Sequence, residues 1–281
     1  AMITHFKIRG KKNWGRSAAL IRRIDEARAA GIDVTMAQYP YTAGSTFLHV
    51  VIPPWYHSRG VDGLLRALRE ERGAIKHDLD TRMDWENFSQ SVGWEKIFVS
   101  SVVSEANQPC VGKSISQIAA ERGHADPADA AFDLLVEEQL AVGMISFGLD
   151  EADITAIMRH PAVSFITDGL MSGRPHPRAY ATYPRILGRY VREQGVLSLE
   201  EAVRKMTSLP ARKIRLRNKG VIAEGYDADL VVFDPDTVID KNSYDDPRVH
   251  PAGIAHVLVN GVFVVEDAAL TGARPGRVIR D

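Results

Sequence analysis

A strand–helix–strand unit at the amino terminus constrains the fold more than any other feature. Residues 2–8 alternate apolar and polar side chains, as strands do. Residues 17–30 carry apolar side chains at helical spacing, Gly31 ends this predicted helix, and residues 32–37 form a second predicted strand. Strands joined through a helix in this way run parallel, so the unit predicts an α/β fold.

A carboxylate follows another predicted strand in the stretch 160–180. The apolar run 163–166 lies between Pro161 and Asp168-Gly169 and predicts a short buried strand. Because the carboxyl ends of parallel strands face the substrate cleft in α/β sheets and barrels, Asp168 is a candidate site residue. The alternative is that this Asp-Gly pair only begins a turn.

Polar side chains cluster after the other predicted strand ends as well. His5 lies near the end of the first strand, and a turn-rich, hydroxyl-rich loop follows the second. Basic side chains after Asp168 are suited to pair with a substrate carboxylate, although a surface loop with incidental charges is equally compatible with them. The candidate substrate-binding residues in these loops are Arg174, His176, Arg178, Tyr39, Tyr41 and Ser45.

Composition narrows the class of protein. The chain has 281 residues, 45% hydrophobic and 25% charged, which is ordinary for a soluble globular protein. A net charge of -1 predicts neither a nucleic-acid nor a membrane-surface partner. With no apolar run near the roughly 18 residues of a membrane span and no signal-peptide layout, we expect a cytoplasmic protein. The single cysteine, Cys110, excludes an intramolecular disulfide, and we interpret it as a spectator thiol.

The middle of the chain predicts an insertion at about residues 53–110. It contains an aromatic-rich stretch, an amphipathic helix near residues 61–71 and a strand at 97–103. A lid over the site and a packed surface subdomain are equally compatible with it. Helix-capping residues then follow at Ser114, Asp126, Asp150 and Ser198.

Beyond Pro210 the sequence pattern changes and predicts short strands with turn residues between them. An Asn260-Gly261 pair predicts a hairpin turn between two of these strands. We therefore predict a partial (β/α) barrel over 1–210 and a small all-β domain over 211–281. About four predicted strands fit strand–helix alternation, at 2–8, 32–37, 141–147 and 163–167. A closed barrel needs eight. The expected fold class is thus α/β, and the chain is expected to be a fragment, or one half of a (β/α)8 TIM-like barrel that something else completes.

Several motifs together resemble the N-acyl-D-amino-acid deacylases (D-aminoacylases) of the amidohydrolase superfamily, over essentially the whole chain. They are His5-Phe-Lys7, Asn13-Trp-Gly-Arg-Ser17, Tyr39-Pro-Tyr-Thr-Ala-Gly-Ser-Thr46, Thr167-Asp-Gly169, Arg174-Pro-His-Pro-Arg178, Glu224-Gly-Tyr-Asp-Ala-Asp-Leu-Val231 and Gly272-Ala-Arg-Pro-Gly-Arg277. Each is weak alone, and their common order carries the resemblance.

The resemblance implies a zinc-bearing barrel with a small β-sandwich, and hydrolysis of the amide bond of N-acyl-D-amino acids. It also implies that this chain is the second half of the (β/α)8 barrel, completed by a missing N-terminal half or by a second copy. It would make His5 a zinc ligand and Asp168 the group that takes a proton from metal-bound water. These roles suit the residues, because zinc binds imidazole and acidifies bound water, and a neighbouring carboxylate transfers the proton to the leaving amine.

The chain departs from the family pattern at the metal. The family's His-x-His pair and cysteine ligand belong to the first barrel strands, and Cys110 does not match that cysteine. Thr35-Met-Ala-Gln38 also offers no ligand at the end of its strand. We expect an incomplete zinc site in this chain. The alternative function is a non-catalytic half-barrel or structural subunit that acts through self-association or a partner chain.

Overall fold

The computed structural model describes residues 1–279 and contains ten strands in three sheets. The strands are β1 (Met2–Ile3), β2 (Thr35–Gln38), β3 (Ala43–Phe47), β4 (Ile97–Ser101), β5 (Gly143–Phe147), β6 (Val163–Phe165), β7 (Leu230–Phe233), β8 (Ile254–Val259), β9 (Val262–Glu266) and β10 (Ala269–Leu270).

Eleven α-helices of the described chain connect or cover these strands. They are α1 (Ser17–Ala29), α2 (Pro54–His57), α3 (Gly60–Glu70), α4 (Arg72–Thr81), α5 (Phe88–Val92), α6 (Ile115–Arg122), α7 (Pro127–Glu137), α8 (Glu151–Met158), α9 (Arg178–Arg185), α10 (Leu199–Met206) and α11 (Ser208–Lys213). A π-helix over Ile186–Glu193 continues α9.

A parallel sheet of three strands, in the order β1-β2-β6, organises the half of the molecule that carries the predicted site. β2 and β6 are wholly buried. The first strand is shorter than predicted because His5, with φ 41°, leaves the extended conformation. The chain nevertheless stays beside β2, since Phe6 N–H donates to Ala37 O at 2.8 Å.

The strand predicted at 141–147 forms, but the prediction that it runs parallel to the strands of the first sheet is wrong. β5 lies between β3 and β4 and pairs with both in the antiparallel direction, in a second sheet. Its apolar run did indicate burial, and four of its five residues are buried. Hydrophobicity predicts that a strand is covered on both faces but not which strands pair with it. The parallel sheet therefore has three strands rather than about four.

The second sheet and the helices around it share one hydrophobic core. This core includes Leu48 and Val51 before α2, the apolar faces of α3, α6 and α7, and Met144 of β5. The core thus extends beyond both ends of the insertion expected at 53–110. The division of the chain into domains remains a prediction.

The helix-capping predictions are confirmed. Ser114 and Gln117 form a reciprocal capping box on α6, and Asp126 caps α7 with Pro127 at its first position. Asp150 accepts backbone N–H groups at the start of α8. Ser198 accepts the Glu201 N–H at the start of α10. These caps satisfy backbone donors that the first helical turn leaves unpaired.

The carboxy-terminal strands form an antiparallel sheet in the order β10-β9-β8-β7. The predicted hairpin joins β8 to β9, and Asn260 and Gly261 have the positive φ values of 49° and 77° that such a turn requires. Within residues 1–279 this region has a single sheet, so the second layer of a sandwich is not formed there. Across the same residues, no helix has the length and apolar character to cross a membrane.

Candidate active site

The three parallel strands bring the predicted site residues to one edge of their sheet. His5 follows β1, Tyr39 directly follows β2, and Asp168 lies three residues beyond β6. Since the strands are parallel, their carboxyl ends lie at the same edge. His5, Tyr39 and Asp168 therefore lie at one edge of the sheet, as expected from their positions after predicted strands, and their roles in a site remain predictions.

Two of these residues have uncommon backbone conformations. Asp168 has φ 47° and His5 has φ 41°. For a residue other than glycine the left-handed region costs roughly 1–2 kcal/mol. Such conformations cluster at functional sites, where the surrounding structure maintains them.

Arg178, at the start of α9, is the most buried cation of the site, with a side chain only 1% exposed. Its Nη2 lies 2.9 Å from Asp168 Oδ2 and donates to Ser45 O at 3.2 Å. The guanidinium carbon lies 4.3 Å from the centre of the Tyr39 ring. Nε and Nη1 have no hydrogen-bond partner within residues 1–279. These two N–H groups are therefore buried donors beside Tyr39 and Asp168.

Lys7 adds a second cation beside the same ring. Its Nζ lies 3.2 Å from His5 Nδ1, donates to His5 O at 2.6 Å, and is 5.4 Å from the centre of the Tyr39 ring. Burial, together with the nearby Arg9 guanidinium, lowers the pKa of Lys7 to about 8. Burial also raises the pKa of Tyr39, so its phenol is a hydrogen-bond donor at neutral pH. The edge of the sheet is therefore suited to bind an anion.

His176 has a different environment from the one predicted. It is 1% exposed, Nδ1 accepts the Arg178 N–H at 3.0 Å, and Nε2 is 3.0 Å from Ala43 O. Since Nδ1 is an acceptor here, Nε2 carries the hydrogen and donates to that carbonyl. Burial and Arg178 lower the pKa of His176 well below its usual range, which keeps the ring neutral. With both nitrogens engaged, the predicted pairing of His176 with a substrate carboxylate is not supported.

The remaining predicted residues divide between the cluster and its surroundings. Ser45 contributes its carbonyl to Arg178, and the buried Tyr41 packs edge-on against His176 with ring centres 5.0 Å apart. Arg174 instead donates to the carboxylate of Asp245 at 2.6 Å, on the surface. Its predicted role in substrate binding is therefore not supported by its contacts either.

Lys7 and Arg9 lie close to Tyr39 and were not predicted as candidate site residues. Phe6 and Ile8 are buried in the core while Lys7 and Arg9 project to the opposite side, so the alternation at 5–9 was the signal that could have identified them. The segment after them is fixed in place: Asn13 donates to Arg9 O at 2.8 Å, and Asp153 accepts the Gly15 N–H at 2.8 Å.

The metal donors in this chain are few. Among residues 1–279 no group of three or more His, Cys, Asp or Glu side chains is arranged to hold a metal ion. His5 and Asp168 are the two strand-end donors, and catalytic zinc sites usually have three protein ligands. Imidazole and carboxylate are the right donor types for zinc, but this chain alone does not complete a site.

Comparison with known proteins defines the class to which this fold and site belong. Residues 108–265, more than half of the chain, match the model described as "Amidohydrolase family". The chain therefore belongs to the amidohydrolase family, as its motifs predicted.

Individual proteins of this family are similar to nearly the whole chain. The chain is 39% identical over 280 residues to N-acyl-D-glutamate deacylase of Alcaligenes xylosoxydans xylosoxydans, covering 99% of this chain and 48% of the relative. It is 36% identical over 279 residues to D-aminoacylase of the same organism, with the same two coverages. The chain thus spans about half the length of the curated relatives it matches.

A solved structure is also similar to the whole of this chain. The crystal structure of N-acyl-D-glutamate deacylase from Bordetella bronchiseptica, complexed with zinc and a phosphonate inhibitor that mimics the reaction tetrahedral intermediate, is 34% identical. It superimposes with a TM-score of 0.78 over 100% of this chain and 49% of its own. The arrangement of strands described above is therefore that of the amidohydrolase fold.

Proposed function

We propose that this chain is the carboxy-terminal part of a zinc-dependent N-acyl-D-amino-acid deacylase. The enzyme would hydrolyse the amide bond to release a D-amino acid and a carboxylate. The observation that carries the proposal is the buried Arg178 guanidinium 2.9 Å from Asp168, at the shared edge of the parallel strands. An N-acyl-D-amino acid carries a carboxylate, and the positive charges of Arg178 and Lys7 beside the Tyr39 ring favour its binding at this edge.

The substrate carboxylate would be bound by three groups. Arg178 and Lys7 supply positive charge, with their cations 4.3 Å and 5.4 Å from the centre of the Tyr39 ring, and Tyr39 adds its phenol as a donor. This arrangement orients the substrate with its amide towards the strand ends, where Asp168 lies. Fixing the substrate by its carboxylate reduces the entropy cost of bringing the amide to the reacting group.

Asp168 would transfer the proton in this reaction. Its carboxylate accepts a proton from the attacking water and donates it to the amide nitrogen as the C–N bond breaks, and the water oxygen stays with the acyl group as a carboxylate. The Arg178 guanidinium, with Nη2 2.9 Å from Asp168 Oδ2, holds this carboxylate in position at the strand ends. Zinc, held in part by His5, would acidify the water and polarise the amide carbonyl when bound.

The remaining metal ligands would come from a missing N-terminal half or from a second copy of this chain. The relatives are about twice as long as the residues matched here, which favours the N-terminal half. The same relatives favour a hydrolase over a half-barrel with only a structural role.

The test is hydrolysis of N-acetyl-D-methionine by the chain completed with the N-terminal barrel strands of the Alcaligenes N-acyl-D-glutamate deacylase. We expect zinc-dependent release of D-methionine, and a loss of at least about 100-fold in kcat for Asp168→Asn. Asp25→Asn, an exposed acidic residue on α1, is the matched control and should retain activity. Full activity in the Asp168→Asn variant would refute the role of Asp168.

A further inference from the structure

The segment that carries Arg178 is attached to β3 through the ring of His176. His176 Nε2 donates to Ala43 O at 3.0 Å, and the Arg178 guanidinium donates to Ser45 O at 3.2 Å. Both carbonyls belong to β3, which is an edge strand of the antiparallel sheet β3-β5-β4. β3 therefore holds the start of α9 at two points.

Two prolines restrict the backbone around this ring. Pro175 and Pro177 flank His176, and a proline fixes its own φ and also restricts the residue before it. Pro177 has no N–H group, so the first backbone donor of α9 is the N–H of Arg178.

His176 accepts the first two backbone donors of α9. Its Nδ1 accepts the Arg178 N–H at 3.0 Å, and its carbonyl accepts the Ala179 N–H at 3.1 Å. The first N–H groups of a helix have no partner within the helix. Because Arg178 is only 1% exposed, bulk water has little access to replace the ring nitrogen. The position of the Arg178 main chain thus depends on this hydrogen bond.

The ring is held in one orientation by its neighbours. Tyr41 packs edge-on against it with ring centres 5.0 Å apart, and Tyr244 does so at 5.1 Å. Burial and the Arg178 and Arg185 cations lower the pKa of His176 well below its usual range. A neutral ring with its hydrogen on Nε2 makes both hydrogen bonds, whereas a protonated ring could not accept the Arg178 N–H.

The contacts of the Arg178 side chain follow from where its main chain is placed. The guanidinium lies 2.9 Å from Asp168 Oδ2 and 4.3 Å from the centre of the Tyr39 ring. These contacts are made at the edge of the parallel sheet, whereas His176 is bonded to the antiparallel sheet. His176 therefore connects the antiparallel sheet to the arginine of the proposed site, and both of its ring nitrogens are used in doing so.

We propose that His176 is a positioning residue, which accepts the Arg178 N–H and so holds the guanidinium where a carboxylate ligand binds. This inference rests on the proposed function, because that function places the substrate carboxylate at Arg178 and Lys7. The bond to Ala43 has a different role, since it attaches the ring to β3 and contributes to stability.

A role in stability alone is the alternative, because His176 is a buried side chain with polar and aromatic contacts. Substitutions would then lower stability and weaken the binding of all ligands alike. Positioning of Arg178 predicts instead a loss that depends on the carboxylate of the ligand and that disappears once Arg178 is replaced.

Two substitutions remove the two ring contacts separately. The amide oxygen of asparagine can take the place of Nδ1, so His176→Asn keeps the acceptor and loses the donor to Ala43. The amide nitrogen of glutamine can take the place of Nε2, so His176→Gln keeps the donor and loses the acceptor for Arg178.

Titration calorimetry of this chain compares N-acetyl-D-methionine with N-acetyl-D-methioninamide, which has nearly the same shape and no carboxylate. We expect wild type to bind the acid about 30-fold more tightly than the amide. His176→Gln should reduce this ratio by about 10-fold, and His176→Asn by less than about 3-fold. In an Arg178→Met background, His176→Gln should change the affinity for the acid by less than about 2-fold. His77→Gln, an exposed residue of α4, is the matched control.

The outcomes separate this inference from the proposed function. An unchanged ratio in His176→Gln would overturn the role of His176 and leave the carboxylate site intact. Equal losses in the asparagine and glutamine variants, or a loss that persists in Arg178→Met, would also overturn it. Equal binding of acid and amide by wild type would contradict the carboxylate site and this inference with it. If His176→Gln does not fold, as judged by its thermal transition, nitrogen NMR of the wild-type ring decides. We expect the hydrogen on Nε2, and a hydrogen on Nδ1 would overturn the proposal.

Discussion

Replacing Glu138 with glutamine should destabilise the second sheet and its helices. Glu138 follows α7, is 4% exposed, and accepts four hydrogen bonds. The donors are Val103 N at 2.6 Å, Ser104 N at 3.0 Å, Asn107 Nδ2 at 2.7 Å and Ser104 Oγ. These bonds anchor the segment that follows β4.

The loss of stability expected for Glu138→Gln follows from these hydrogen bonds. A glutamine keeps one acceptor oxygen and turns an NH2 group towards the remaining donors, so at least one buried donor faces another donor. Hydrogen bonds to a charged group contribute about 1.5–3 kcal/mol each. We therefore expect Glu138→Gln to lower the free energy of unfolding by roughly 3–5 kcal/mol at pH 7.

The pH dependence of the free energy of unfolding gives a second, independent measure of what the Glu138 carboxylate contributes. Burial alone would raise the pKa of Glu138, but the hydrogen bonds from Ser104, Asn107 and the backbone outweigh it and lower the pKa from 4.5 to about 2. A depressed carboxyl pKa stabilises the fold fully above pH 4.5 and loses this contribution as the pH falls towards about 2. The shift corresponds to at most roughly 3 kcal/mol.

Urea unfolding at pH 7 and at pH 3 tests both statements, with Glu70→Gln, an exposed residue at the end of α3, as the control. The Glu138→Gln variant should be less stable than wild type at pH 7. Between pH 7 and pH 3 its free energy of unfolding should fall by less than that of wild type. A loss below about 1 kcal/mol at pH 7, or an unchanged acid dependence, would refute the reasoning.

Two further predictions concern the contacts of Asp153 at the start of α1 and the zinc content of the chain. Asp153→Ala should destabilise the chain by about 2 kcal/mol in urea unfolding, because the buried carboxylate accepts the Gly15 and Ser17 N–H groups at the start of α1, and a loss below about 0.5 kcal/mol would contradict this. The chain purified alone should hold well under one zinc per molecule by elemental analysis after dialysis against a mild chelator, since two strand-end ligands fall short of three. A stoichiometric zinc that His5→Ala removes would overturn that prediction.

Local patterns in the sequence predicted much of the fold. The caps at Ser114, Asp126 and Asp150 and the Asn260-Gly261 turn depend on neighbouring residues, so the sequence contained them directly. The pairing of β5 did not follow from the sequence. It depends on β3 and β4, which are distant along the chain, and on packing that hydrophobicity does not specify.

The site was predictable to a similar extent. The common location of Asp168, Tyr39 and His5 could be predicted because strand ends share an edge, while their roles remain predictions. The distinct environments of Arg178 and His176 could not be predicted, although both follow the same strand. Arg178 is a buried guanidinium with two donors unpartnered within residues 1–279, and His176 is a neutral ring bonded to the backbone, so only the tertiary contacts distinguish them.

We propose that this chain contains the carboxylate-binding part of a deacylase of N-acyl-D-amino acids. Titration calorimetry of this chain with N-acetyl-D-methionine and its L enantiomer tests this proposal. We predict binding of the D enantiomer in preference to the L enantiomer, and a loss of about 30-fold or more in affinity for Arg178→Met, with Arg178→Lys less affected. Equal binding of both enantiomers, or undiminished binding by a folded Arg178→Met variant, would contradict the account.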